Sequence, residues 1–356
     1  MNRHLFSSLA CLWLTGAGVF AETAPTAPPA PVSKSGTPAE KSAAAPAPQT
    51  ADPNYVRMAE DERSTRMETG LASFALPDGR TVDLVGVVHL GDKAYYKDLN
   101  ERLGTYDAVL FELVGDPSAL QEKEEPSNDD EPPPPAHPLR MIQGAMGRLL
   151  RLEFQLENID YTRPNFIHAD ATGEEFEKMQ KERGESMMQI MLKSLELSSD
   201  PEMSEKFRKA QEIGLSDLIL MFYSDKAAAR FKIVFGGLLA ESEQILDKKL
   251  LGKNSAIING RNEVALNKLD EVLKDPAKKR VCIFYGAGHM PSMEASLRSR
   301  LKVEPKSFTW LTAWKMPPPE KKPDRKKHSD GHSDPAEKPT PDPDPAPGTA
   351  PAESVK

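Results

Sequence analysis

The stretch Val82-Asp83-Leu84-Val85-Gly86-Val87-Val88-His89-Leu90-Gly91 decides how the rest of the chain is read. Its aliphatic run is broken only by Asp83 and Gly86, whereas a strand with one wet face would alternate, so it reads as a strand covered on both faces. The run ends in Gly-x-x-His, where glycine permits a sharp exit and the imidazole faces the space beyond the strand. Three further short apolar runs match it: Ala108-Val109-Leu110-Phe111, Asn165-Phe166-Ile167 and Val281-Cys282-Ile283-Phe284-Tyr285. The last runs directly into a second Gly-x-x-His, Gly286-Ala287-Gly288-His289. Helical periodicity fills intervals between these runs, over residues 93–103 and 257–273. The alternation predicts an α/β fold, a mainly parallel sheet flanked by helices.

Working outward, the folded part is expected over residues 53–315. The chain has 356 residues with 32 prolines and a hydrophobic fraction of 38%, a composition that points to sizeable non-globular segments. Residues 22–52 are rich in Ala, Pro, Ser, Thr and Lys, and cannot bury enough apolar surface to offset the entropy of ordering, so they are expected to form a disordered linker. The same reasoning makes residues 316–356 a disordered tail. Residues 116–138 form an acidic, Pro-rich insertion that interrupts the domain without ending it. Residues 174–250 read as a helical insertion, with Met179, Met187, Met188, Ile190, Met191, Leu195, Leu218, Ile219, Phe222 and Phe231 at helical spacings. Its methionines are expected to serve as core rather than as an adaptable binding groove.

Residues 1–21 carry Arg3 and His4, an apolar run and the ending Val19-Phe20-Ala21, which reads as a cleaved signal peptide and predicts export to a periplasmic or extracellular location. No later run is as long without charges, so no stable transmembrane segment is expected. With 46 Lys+Arg against 54 Asp+Glu the net charge is −8, and nothing suggests a cationic face for nucleic acid. Cys11 leaves with the signal. Cys282, within a very apolar strand, is expected to be an inert buried thiol with no disulfide partner.

Histidine placement carries the chemistry. Once the signal and the Pro-rich segments are set aside, His89, His168 and His289 remain. Glu112 follows the run ending at Phe111, and Asp170 follows the run ending at Ile167, so four strand ends each deliver an acid/base or metal-capable side chain. Parallel strands bring such residues together in the crevice beyond their carboxyl ends. His89 and His289 with Glu112, or with Asp170, suit a divalent Zn or Mn ion with a bound water. The same groups without metal can act as general base and acid. Arg261 lies on the apolar face of its helix, with Ile257, Ala265 and Leu269, and a buried guanidinium there requires a carboxylate or a bound anion, Glu112 first. Asn262 beside it offers further polar contacts. His168 fits a site position and a core or edge position equally. The chain has no Gly-x-Ser-x-Gly elbow, Walker loop or His-Glu-x-x-His, which argues against the enzyme classes built on them.

The blocks Leu84-Val85-Gly86-Val87-Val88-His89-Leu90-Gly91, Tyr106-Asp107-Ala108-Val109-Leu110-Phe111-Glu112, Gly260-Arg261-Asn262 and Tyr285-Gly286-Ala287-Gly288-His289-Met290 resemble the TraB/PrgY/GumN family, which is similar to the Tiki proteins. The resemblance covers most of the folded part in order and spacing. It implies signature roles for His89, Glu112, Arg261 and His289, with Asp170 beside them. It further implies divalent-metal protease chemistry of the Tiki kind on a peptide or protein substrate, in a wider group that includes erythromycin esterases, haem-binding proteins and PrgY-like members linked to peptide pheromone shutdown. The acidic insertion after Gly115 and the long ends depart from the family pattern. Three readings follow: a metal-dependent peptidase-like hydrolase, a non-catalytic peptide- or haem-binding protein closed by the helical insertion, and a metal-free esterase-like hydrolase using His89 or His289 as base.

Overall fold

The computed structural model describes residues 54–120, 150–185, 223–245 and 255–318, together with the single positions 147, 188, 189, 192 and 220. These lie in the unit Met1–Pro319. The signal peptide, the linker, most of the acidic insertion, much of the helical insertion and the tail beyond 318 lie outside the described residues.

Among the described residues a seven-stranded mixed sheet forms the centre. The four apolar runs become β3 (Thr81–Val87), β5 (Ala108–Phe111), β7 (Phe166–His168) and β8 (Arg280–Gly286). They pair in the order β3-β8-β5-β7, and every pairing is parallel, with Val82 opposite Val281, Ala108 opposite Val281 and Val109 opposite Phe166. β8, last of the four in the chain, sits between β3 and β5. Burial of every β8 residue after Arg280 explains its unbroken apolar run.

An antiparallel arm extends the β3 side. It consists of β1 (Val56–Glu60), β2 (Thr65–Ala75) and β9 (Glu304–Met316). β9 runs along the whole of β2, from Ala75 opposite Glu304 to Thr65 opposite Met316. β1 pairs with Thr65–Thr69 and β3 with Leu71–Ala75, so these two strands share the other edge of β2 end to end. A short antiparallel pair, β4 (Leu90–Gly91) with β6 (Glu153–Phe154), follows the carboxyl end of β3. It delivers the single turn α2 (Gln155–Asn158) beside His89.

Helix α1 (Lys93–Leu103) buries Tyr95, Tyr96, Leu99 and Leu103, a stripe at helical spacing. Helix α3 (Gly173–Glu182) opens on a capping box in which Thr172 and Glu175 satisfy each other's backbone N–H groups. Helix α4 (Asp225–Ile245) packs against β1, β2 and β9, where Phe231 stacks on Phe235 and Phe235 on Trp314. Helix α5 (Arg261–Val272) continues from a π-helical turn, Ala256–Gly260. Helix α6 (Met290–Leu301) follows directly after His289. From the helical insertion, Phe231 is buried and Met179 packs against the core, whereas Met188 is 61% exposed. Among the described residues no helix is long and apolar enough to cross a membrane.

Candidate functional site

Because β3, β5, β7 and β8 are parallel, their carboxyl ends lie along one edge of the sheet, and that edge gathers the charged and imidazole side chains. Arg261, the first residue of α5, is fully buried beneath them. Its Nη2 donates to Glu112 Oε1 at 2.6 Å and to Asp170 Oδ2 at 2.5 Å, and its Nε donates to Asp170 Oδ1 at 2.9 Å. The guanidinium therefore grips Asp170 with two bonds and Glu112 with one, a fork geometry that lysine cannot supply. Glu112 is the partner expected for Arg261, and Asp170 is a second. Asp170 Oδ1 also accepts from the Ala171 N–H at 2.8 Å.

Glu112 is 8% exposed, and its Oε2 accepts from the Gly286 N–H at 2.5 Å. A Cβ at position 286 would stand 3.2 Å from that oxygen, so glycine at the strand end is what lets the carboxylate reach the backbone. Burial is the largest influence on the Glu112 carboxyl and raises it. Arg261 above all, with the Gly286 N–H, draws it back down below the usual range.

His289 is fully buried. Its Nδ1 lies 2.7 Å from Asn262 Oδ1, and its Nε2 lies 3.5 Å from Glu112 Oε1 and 3.4 Å from Arg261 Nη1. Burial lowers its pKa to about 4, so the ring is neutral at pH 7. His89 retains partial exposure, its Nδ1 lies 3.0 Å from Gln155 Oε1, and burial lowers its pKa as well. With both imidazoles neutral, one guanidinium against two carboxylates leaves the cluster one net negative charge.

A small cleft of about 20 Å³, room for about one water molecule, opens beside Gly286 at this edge. His89, Leu90, Leu239 of α4, Trp314 of β9 and the Gly286-Ala287-Gly288 segment wall it. Of the expected site residues, only His89 is on that wall.

The donor set can be tested against a metal. A tetrahedral ion with bonds of about 2.0–2.2 Å holds neighbouring ligand atoms about 3.4 Å apart, and His289 Nε2 and Glu112 Oε1 stand at 3.5 Å. Two donors thus have ligand spacing next to a surplus negative charge, and His89 is the further imidazole at this edge. Among the described residues, no three His, Cys, Asp or Glu side chains already surround one point.

His168 stays apart from the cluster: its Nε2 lies 2.7 Å from the Leu113 carbonyl oxygen and its ring packs on Phe111. Cys282 is fully buried within β8, and burial, then the neighbouring Asp83, pushes its thiol well up. Two contributors were not in the sequence expectations. Gln155 holds His89 and donates to Tyr161 Oη at 2.9 Å, and Tyr285 donates its hydroxyl to the Ala169 carbonyl, tying β8 to the end of β7. Tyr285 is visible only as part of an apolar run, and Gln155 belongs to no motif. Only the β4-β6 pairing brings Gln155 to His89.

Comparison with protein-family models gives no match to this chain, and comparison with curated proteins gives none either.

Proposed function

We propose that the protein is an exported, metal-dependent hydrolase of peptide or protein substrates, related to the TraB/PrgY/GumN and Tiki proteins whose motifs it resembles. The observation that carries this reading is the gathering of His289, His89, Glu112 and Asp170 around the buried Arg261 at the carboxyl edge of a parallel sheet. His89 and His289 would hold the ion through Nε2, with Glu112 as the anionic ligand. When bound, a zinc or manganese ion supplies an acidified water and polarises a substrate carbonyl. A carboxylate held well below its usual range is a poor proton acceptor, so Glu112 suits the ligand role better than that of base. Asp170 fixes Arg261 through its two bonds. The guanidinium, fully buried beside His289 and Glu112, holds the Glu112 carboxylate in place for the ligand role.

Elemental analysis of the full chain after incubation with Zn or Mn, followed by exposure to an unbiased peptide library, tests this reading. The expected result is near-stoichiometric metal, cleavage that stops with chelator, and loss of both in a His89→Ala, His289→Ala double variant that remains folded. No metal uptake and no cleavage would overturn it. The contact of Arg261 Nη1 with His289 Nε2 favours a second reading, metal-free hydrolysis with His89 as the base on the cleft wall. That reading predicts cleavage indifferent to chelator.

A further inference from the structure

We propose that Gln155 and Asn262 are positioning residues that fix the tautomer of the two imidazoles, each putting the ring proton on Nδ1 and leaving Nε2 bare toward the site. A neutral imidazole has one N–H, and the nitrogen facing a carboxamide oxygen must be the one that carries it. For His289 the amide orientation follows from its other contacts. Asn262 Nδ2 lies 3.3 Å from the His289 carbonyl oxygen and 2.8 Å from Ser292 Oγ. A carbonyl only accepts, so the NH2 end belongs there and Oδ1 faces His289 Nδ1 at 2.7 Å. Nδ1 therefore donates, and Nε2 turns its lone pair toward Glu112 Oε1 and Arg261 Nη1.

The second imidazole repeats the arrangement with a different element. Gln155 Oε1 faces His89 Nδ1 at 3.0 Å, its NH2 donates to Tyr161 Oη, and its backbone N–H donates to the His89 carbonyl at 2.9 Å. Both amides are 3% exposed, so water does not compete for the imidazole proton. The amide chemistry also matters. A carboxylate at either position would fix the same tautomer but add charge to a cluster that is already net negative, whereas a carboxamide fixes it without charge. The His289 assignment follows from the carbonyl that Asn262 Nδ2 faces, and the His89 assignment from the placement of Gln155 Oε1 against Nδ1; only the use of the bare Nε2 atoms rests on the hydrolase reading.

The test is long-range proton–nitrogen NMR of the metal-free, full-length protein carrying ring-labelled histidine, with His89 and His289 assigned by single substitution. Both rings are expected to show the Nδ1–H pattern, and the Nε2–H pattern in either would overturn the proposal for that residue without any further variant. Gln155→Met should release His89 from the Nδ1–H pattern and leave His289 unchanged. Asn262→Leu should do the converse, so each ring reports that the other variant is folded. An unchanged His89 pattern in Gln155→Met would overturn the role of the amide. Zinc affinity, read by competition with a chromophoric chelator, should fall about 10- to 100-fold in Gln155→Met, the usual effect of losing a hydrogen bond behind a ligand. Nδ1–H patterns in a protein that neither takes up zinc nor cleaves peptides would sink the hydrolase reading and leave the tautomer assignment standing. Cleavage with reversed patterns would do the opposite.

Discussion

Replacing Arg261 by Met removes a buried guanidinium and strands two carboxylates, Glu112 and Asp170, that it bridges with three hydrogen bonds. At an effective dielectric near 20, charges about 4 Å apart attract by about 4 kcal/mol, so two such pairs set a ceiling of about 8 kcal/mol. Proton uptake by a stranded carboxylate and some relaxation lower this to the range of about 3–5 kcal/mol found when one partner of a buried pair is deleted. A domain with about 5–15 kcal/mol in total loses much of its margin. Urea unfolding followed by circular dichroism at pH 7 and pH 5 is the assay. The sign of the pH response is the sharper readout. In the parent, Glu112 is held below its ordinary value, so its contribution is complete above that value and is lost as pH falls through the depressed one. Without Arg261, burial is no longer outweighed, Glu112 rises above its ordinary value, and the variant recovers stability as pH falls from 7 to 5. Removing all three charges together, with Arg261→Met, Glu112→Gln and Asp170→Asn, should restore most of the loss, because the damage lies in uncompensated charge rather than in missing attraction. A single-variant cost below about 1 kcal/mol would refute the reasoning. So would equal cost at both pH values, or additive losses in the triple variant.

Three other outcomes follow from the same geometry. His289 is lowered from 6.5 to about 4, so the folded protein binds fewer protons than the unfolded chain; about 3 kcal/mol present above pH 6.5 is lost as pH falls through 4, and His289→Gln should flatten that slope in the metal-free protein. Gly286→Ala places a Cβ 3.2 Å from Glu112 Oε2; displacing the carboxylate should lower zinc uptake and peptide cleavage by about tenfold or more, with a smaller loss of melting temperature than in Arg261→Met. Cys282, fully buried in β8, should resist thiol reagents until denaturant passes the unfolding transition, and modification of the native protein would contradict its placement.

The parallel half of the sheet was legible because strands covered on both faces must be apolar nearly throughout, and β3, β5, β7 and β8 announce themselves that way. The antiparallel arm was not. β2 and β9 carry Arg66, Glu68, Lys306 and Lys315 among their apolar residues, and such strands declare themselves only through their partners. The helix expected over residues 257–273 begins in the structure with a π-helical turn and becomes α-helical at Arg261, a local detail with no periodic signal. Glu112, Asp170, His89 and His289 were legible as a set because each sits just past a strand end, where topology alone brings them together. Arg261 was legible from its apolar neighbours, which demanded a carboxylate for it. Gln155 was not, because its place depends on the two-residue pairing of β4 with β6, set by contacts far apart in the chain.

The position of β8 also bears on how the molecule is made. Roughly 190 residues separate the end of β3 from the start of β8, and at about 5–20 residues per second a ribosome takes about 10–40 s to cover them. Throughout that interval β3 and β5 each lack the neighbour that separates them, and two hydrophobic edges stay open to pairing with other chains. Arg261 is synthesised before the loop that carries His289, so until that late strand docks the nascent chain has no complete site. A chain ending before Arg280 would lack both the central strand and His289, which ties completion of the candidate site to completion of the fold.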